Sequence, residues 1–127
     1  MNQPIPILRM FDVAKAKEHY VGFLGFKLDW EHRFDSDLPL YMQVSRDRCI
    51  LHLSEHFGDA TPGSAFRVET PNLDEFCEEI RTKNYRNAKI GDPAMQPWGT
   101  REISITDPFG NRMIFYCAEK NVQSIAE

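Results

Sequence analysis

The alternation Ile50-Leu51-His52-Leu53-Ser54 places one imidazole on the strand face opposite Cys49, Leu51 and Leu53. A neutral imidazole there can donate a hydrogen bond to a ligand or accept one, and a purely structural histidine would use the same two nitrogens. Trp98, between Pro97 and Gly99, is the aromatic residue best suited to form an apolar wall, since its neighbours hold the backbone in a turn. Arg101 and Glu102 follow directly and point to opposite faces if they begin a strand. Arg101 can meet a carboxylate or anchor an interface, and Glu102 can attract a cationic group. A surface ion pair would use the same residue types. Tyr41 and Tyr116, on strands, and Phe34 and Phe57, on loops, complete a set of rings able to close on a flat molecule, with core packing as the alternative for each.

Other chemistry finds less support. Cys49, Cys77 and Cys117 are widely spaced, include no CxxC pair, and lack a Cys-His arrangement suited to catalysis. That usage fits buried thiols in a reducing compartment. Glu18-His19 sits on a helix without the metal or nucleophile geometry needed for catalysis, Glu78-Glu79 reads as a solvated helix face, no glycine-rich phosphate cradle is present, and Asp107 and Asn111 read as organisers of a tight turn.

The elements that position these residues must come from 127 residues, 42% hydrophobic and 27% charged, enough for a single domain over 1–127 with a sizeable core. A formal net charge of -4 argues against a domain-wide phosphate-binding surface, so no nucleic-acid partner is expected, and it tolerates a cationic ligand. Neither a secretory leader nor a membrane span is read in the sequence, which makes the cytoplasm the expected location.

A strand over Ile5–Phe11 leads to Asp12, which caps a helix running to about Leu24, with Val13, Ala16, Tyr20 and Leu24 as its apolar face and Gly25 as its stop. Strands follow at Phe26–Trp30, Leu40–Val44 and Cys49–Ser54, with intervals short enough for antiparallel neighbours. The order then repeats: a strand at Ala65–Glu69, a helix at Leu73–Thr82, and strands at Tyr85–Ile90, Arg101–Thr106 and Arg112–Cys117. The fold class is therefore α+β, with paired βαβββ modules at about 5–55 and 65–118.

In this order, Phe11-Asp12-Val13, Phe23-Leu24-Gly25-Phe26, Gln96-Pro97-Trp98-Gly99-Thr100-Arg101-Glu102 and Asp107-Pro108-Phe109-Gly110-Asn111 resemble the glyoxalase/bleomycin resistance superfamily, the vicinal oxygen chelate proteins. The last two segments look particularly like its bleomycin resistance branch. The resemblance covers roughly residues 5–118. It implies modules curled around a cavity, and a homodimer with ligand grooves at its interface and exchange of a strand or module. It also implies cavity-facing positions for His52, Tyr41 and Tyr116. Metal ligands of the family's enzymes would fall at Ile5, His52, Ala65 and Ile114, of which only His52 carries a donor side chain. No metal and no cofactor are therefore expected. His56 and Glu55 lie near a strand end and do not match the absent positions. The expected function is capture of a partly planar or cationic small molecule without covalent chemistry. The alternative is an atypical lyase, isomerase or dioxygenase of the same superfamily, with His52 as general acid or base and Arg101 stabilising an anion.

Overall fold

The computed structural model describes residues 1–87 and 89–118. Eight strands and two helices are named here: β1 (Ile7–Arg9), α1 (Val13–Lys17), β2 (Lys27–His32), β3 (Tyr41–Arg46), β4 (Cys49–Ser54), β5 (Ala65–Glu69), α2 (Leu73–Thr82), β6 (Ala94–Met95), β7 (Thr100–Thr106) and β8 (Arg112–Ala118). They form an α+β fold of two four-stranded sheets, ordered β1-β4-β3-β2 and β5-β8-β7-β6. Each half thus has the βαβββ order that the sequence suggests. The chain divides into two compact units. The first is Met1–Ser64 with Thr106–Arg112, and the second is Ala65–Ile105 with the chain from Met113 onward. Among the described residues, no helix is long and apolar enough to cross a membrane.

In the first unit, the Asp12 carboxylate accepts from the Lys15 amide at 3.0 Å and so satisfies one of the unpaired donors at the start of α1. The helix does not continue to Leu24 as a regular α-helix. From Glu18 to Phe23 it widens into a π-helical turn, with Leu24 donating to the His19 carbonyl. That turn buries His19, Tyr20 and Phe23 on the side of the core formed by Leu8, Met42, Val44, Leu51 and Leu53. Gly25 takes φ 76°, as a residue leaving a helix in the left-handed region does. Arg46 reaches back from β3 to donate to the Leu24 carbonyl at 2.8 Å.

The segment Asp107–Asn111 belongs to this unit and is its polar centre. Asp107 is 6% exposed and accepts four hydrogen bonds: from the Tyr20 hydroxyl (2.6 Å), the Phe109 and Asn111 amides (2.8 Å each) and Asn111 Nδ2 (2.9 Å). Asn111 also donates to the Arg9 carbonyl at 2.8 Å and accepts from the Ser64 amide at 3.3 Å. Gly110 closes the turn at φ 89°, a conformation costly for a residue with a Cβ. These hydrogen bonds hold the turn together, as its residue types suggest.

In the second unit, Leu73, Phe76, Cys77 and Ile80 form the buried stripe of α2, and Phe76 packs on Phe115 of β8 with ring centroids 4.6 Å apart. Among the described residues of the expected strand Tyr85–Ile90 none is extended as a strand, and Ala88 lies outside the described residues. Tyr85–Asn87 is a short 3-10 turn, because Asn84 and Arg86 both take φ 47° and cannot extend. The edge strand lies further on, at Ala94–Met95, paired antiparallel with Glu102 and Arg101.

Candidate functional site

In the first sheet one set of side chains faces the α1 core and the other faces away. Register across β3 and β4 pairs Tyr41 with Ser54, Gln43 with His52 and Ser45 with Ile50, so Tyr41, Gln43, Ser45, Ile50 and His52 share the face away from the helix. Strand β2 joins that face through a bulge. Leu28 pairs with Val44, then Trp30 pairs with Gln43 and His32 with Tyr41, leaving Asp29 as the extra residue. Without the bulge, strict alternation would carry Trp30 to the helix side with Leu28. With it, Trp30 and His32 stand beside Tyr41.

A cleft of about 440 Å³ opens at this edge, lined by Trp30, His32, Phe34, Tyr41, His56 and Asp59. The Trp30 and Tyr41 rings lie nearly parallel, 12° apart with centroids at 6.0 Å. Phe34 sets its edge against His32 at 4.7 Å. The loop after β4 is fixed by one hydroxyl: Ser54 Oγ donates to Asp59 Oδ2 at 2.6 Å and accepts from the His56 amide at 3.0 Å. Glu55 turns away from the cleft, its carboxylate accepting from the Leu40 amide at 3.0 Å.

Behind the stacked rings runs a chain of hydrogen bonds. Tyr41 Oη lies 2.7 Å from His52 Nδ1, His52 Nε2 lies 2.9 Å from Gln43 Oε1, and Gln43 Nε2 donates to Asp29 Oδ2 at 3.1 Å. Trp30 meets His52 edge to face at 5.4 Å. Burial lowers the His52 pKa from its ordinary value and favours the neutral ring. The Asp29 pKa is also lowered, by hydrogen bonds from Ser45 and Gln43. The Tyr41 hydroxyl is pushed the other way, its pKa raised by desolvation and by the Asp59 charge.

The second unit gathers a separate cluster on the open side of its sheet. Arg67 meets Glu102 with two hydrogen bonds, at 3.1 and 2.7 Å, and its guanidinium lies 4.4 Å from the centre of the Tyr116 ring. Trp98 Nε1 and Thr100 Oγ1 also donate to Glu102 Oε2, at 2.9 and 2.5 Å. These donors, Arg67 foremost, hold the Glu102 carboxyl down to about 2. The cluster restrains a Trp98 side chain that is 63% exposed.

Of the residues singled out from the sequence, Tyr41 and Phe34 line the cleft, and His52 lies directly behind Tyr41. Trp98, Glu102 and Tyr116 come together in the second cluster, where Glu102 is already engaged by an arginine. Arg101 alternates to the other side of β7 and pairs with Asp74 of α2 at 3.0 and 2.7 Å, lowering the Asp74 pKa. Phe57 is 92% exposed and lies outside the cleft lining. Trp30, His32, Asp59 and Arg67 were missed. A bulge governs the phase of the first two, and strand alternation from Ala65 is the signal that could have placed Arg67. Among the described residues no three His, Cys, Asp or Glu side chains form a metal-binding set. Ile5, Ala65 and Ile114 have no donor side chains, and both His52 nitrogens are engaged within the protein. These residues do not fit the family's metal.

Comparison with known proteins follows the same lines. A family described as "Glyoxalase superfamily protein" matches residues 1–123. No match was found among curated proteins. The fold is similar to that of an antibiotic binding protein from Streptomyces sp. CB03234, with TM-score 0.73, 23% identity, and coverage of 94% of this chain and 98% of the other. A bleomycin-binding protein complexed with bleomycin gives TM-score 0.71 and 21% identity over 94% of this chain and 100% of the other. A bleomycin resistance determinant encoded on the transposon Tn5 gives TM-score 0.71 and 21% identity over 94% and 99%.

Proposed function

The chain belongs to the glyoxalase superfamily, and we propose that it binds a small, partly planar cation without chemical turnover; the fold it shares with a bleomycin-binding protein complexed with bleomycin supports a binding role. The observation that carries this reading is the lining of the cleft: three aromatic rings, Trp30, Phe34 and Tyr41, around one carboxylate, Asp59. Aromatic faces attract flat molecules and cations alike, and Asp59 supplies the sign. The His52 imidazole has both nitrogens committed to Tyr41 and Gln43, which supports a role in holding the cleft wall over a role as acid or base. The reading includes a cytoplasmic homodimer. Ile7 and Ile50, 39% and 36% exposed on the same face as His52, offer apolar surface that a second copy would cover.

The test is calorimetric titration with the planar cation aminoacridine and, as a matched anion, anthracene carboxylate. Saturable binding of the cation is expected, weakened about tenfold by Trp30→Ala and progressively by added salt. Equal binding of cation and anion, or no binding of either by a folded protein, refutes the reading. Light scattering after gel filtration checks the dimer.

A further inference from the structure

We infer that the Asp29–Gln43–His52–Tyr41 chain fixes the hydrogen-bond polarity of the cleft, so that Tyr41 can only accept and the site selects planar cations bearing N–H donors over cations of the same shape and charge that lack them. This deepens the binding reading above and rests on it.

Asp29 is the one group of the chain whose role is unambiguous. An ionised carboxylate only accepts, so the end of the Gln43 amide 3.1 Å from Asp29 is its NH2 group. The carbonyl end, Oε1, therefore faces His52 Nε2 at 2.9 Å and requires a proton on that nitrogen. A neutral imidazole carries one N–H, which leaves Nδ1 bare. The Tyr41 hydroxyl, 2.7 Å away, must then donate to it. Its single proton is spent, and its oxygen keeps only lone pairs for an occupant of the cleft. Each link is short enough to be a firm hydrogen bond.

The consequence is chemical. Tyr41 and Asp59, two polar groups of the cleft lining, both accept, and Asp59 already holds the Ser54 proton donor on one oxygen. An anion or a ligand rich in acceptors would leave these oxygens facing oxygens. A quaternary aromatic cation would satisfy the charge and leave the tyrosine lone pairs unpaired. A protonated heterocycle or an amidinium satisfies both. His32 and His56, the other titratable groups of the lining, can donate or accept when neutral and impose no preference of their own.

Two measurements test this on the intact protein. In the first, aminoacridine and N-methylacridinium are titrated side by side. Both are flat cations of similar size, and only aminoacridine carries N–H groups. At least a tenfold preference for aminoacridine is expected, falling to about threefold or less in Tyr41→Phe. Equal binding of the two by the wild-type protein overturns the polarity argument and leaves cation capture standing. Failure of both to bind sinks cation capture and this inference together. The second measurement needs no ligand: nitrogen NMR of the His52 ring is expected to show Nε2 protonated and Nδ1 bare. The opposite tautomer would overturn the chain of reasoning at its centre. Gln43→Leu, which removes the acceptor facing Nε2, is expected to weaken the tautomer preference.

Discussion

Lowering the pH from about 7.5 to about 5 is expected to cost the fold roughly 2 kcal/mol through His19 alone. This side chain is 2% exposed, within the π-helical turn that follows α1, against Tyr20 and Phe23. Burial lowers its pKa from 6.5 to about 4, with the Asp107 charge opposing the shift. The unfolded chain therefore takes up a proton below about pH 6.5 that the folded chain refuses until about pH 4. Stability from this residue is complete above the first value and is lost as pH falls toward the second, by about 3 kcal/mol over the whole window. Urea denaturation at several pH values measures the slope. Carboxylates and other histidines titrate in the same range, so the informative quantity is the difference between the wild type and a variant without the imidazole. His19→Gln, with His19→Phe as a second variant, is expected to flatten the curve between about pH 7.5 and 5 by that 2 kcal/mol, whatever its absolute stability. Parallel curves for wild type and both variants would refute the buried, neutral histidine.

Tyr20→Phe removes one of the four donors to the buried Asp107 carboxylate and is expected to cost about 2 kcal/mol, or roughly 6 °C in Tm by calorimetry. Asn111→Ala leaves the Arg9 carbonyl and the Ser64 amide without their partner as well, and a larger loss of about 3 kcal/mol is expected in urea titration. In a Trp30→Phe background, Trp98 emission anisotropy is expected to stay constant from neutral pH down to about pH 3. The Glu102 carboxyl sits at about 2, so the cluster it organises is present above that value and loosens only as pH falls through it. Glu102→Gln is expected to lower the anisotropy at every pH, and an unchanged value would show that Glu102 does not restrain the indole.

Alternation was the signal that carried furthest. It separates His52 from Leu51 and Leu53, and Arg101 from Glu102, and the structure has both separations. Turn chemistry was equally readable in Asp107–Asn111. Alternation failed where the chain breaks its own period. The bulge at Asp29 reverses the facing of Trp30 and leaves no local mark that a period-two reading can detect. Tyr85 and Ile90 suggested a strand by residue type, yet left-handed conformations at Asn84 and Arg86 prevent it, and the true edge is two residues long with no pattern to detect. The widening of α1 into a π-turn has no evident compositional cause. Glu102 shows a different limit. Its place on an open sheet face was inferable from sequence, while its engagement by Arg67, thirty-five positions away, depends on which strands become neighbours.

The first unit is not a continuous stretch of chain. Its helix and its first strand both depend on atoms supplied from beyond residue 105: Asp107 accepts the hydrogen bond of the Tyr20 hydroxyl, and Asn111 donates to the Arg9 carbonyl. A gene fragment ending at Ser64 would encode every strand of the first sheet and still strand a phenol and a carbonyl in a hydrocarbon interior.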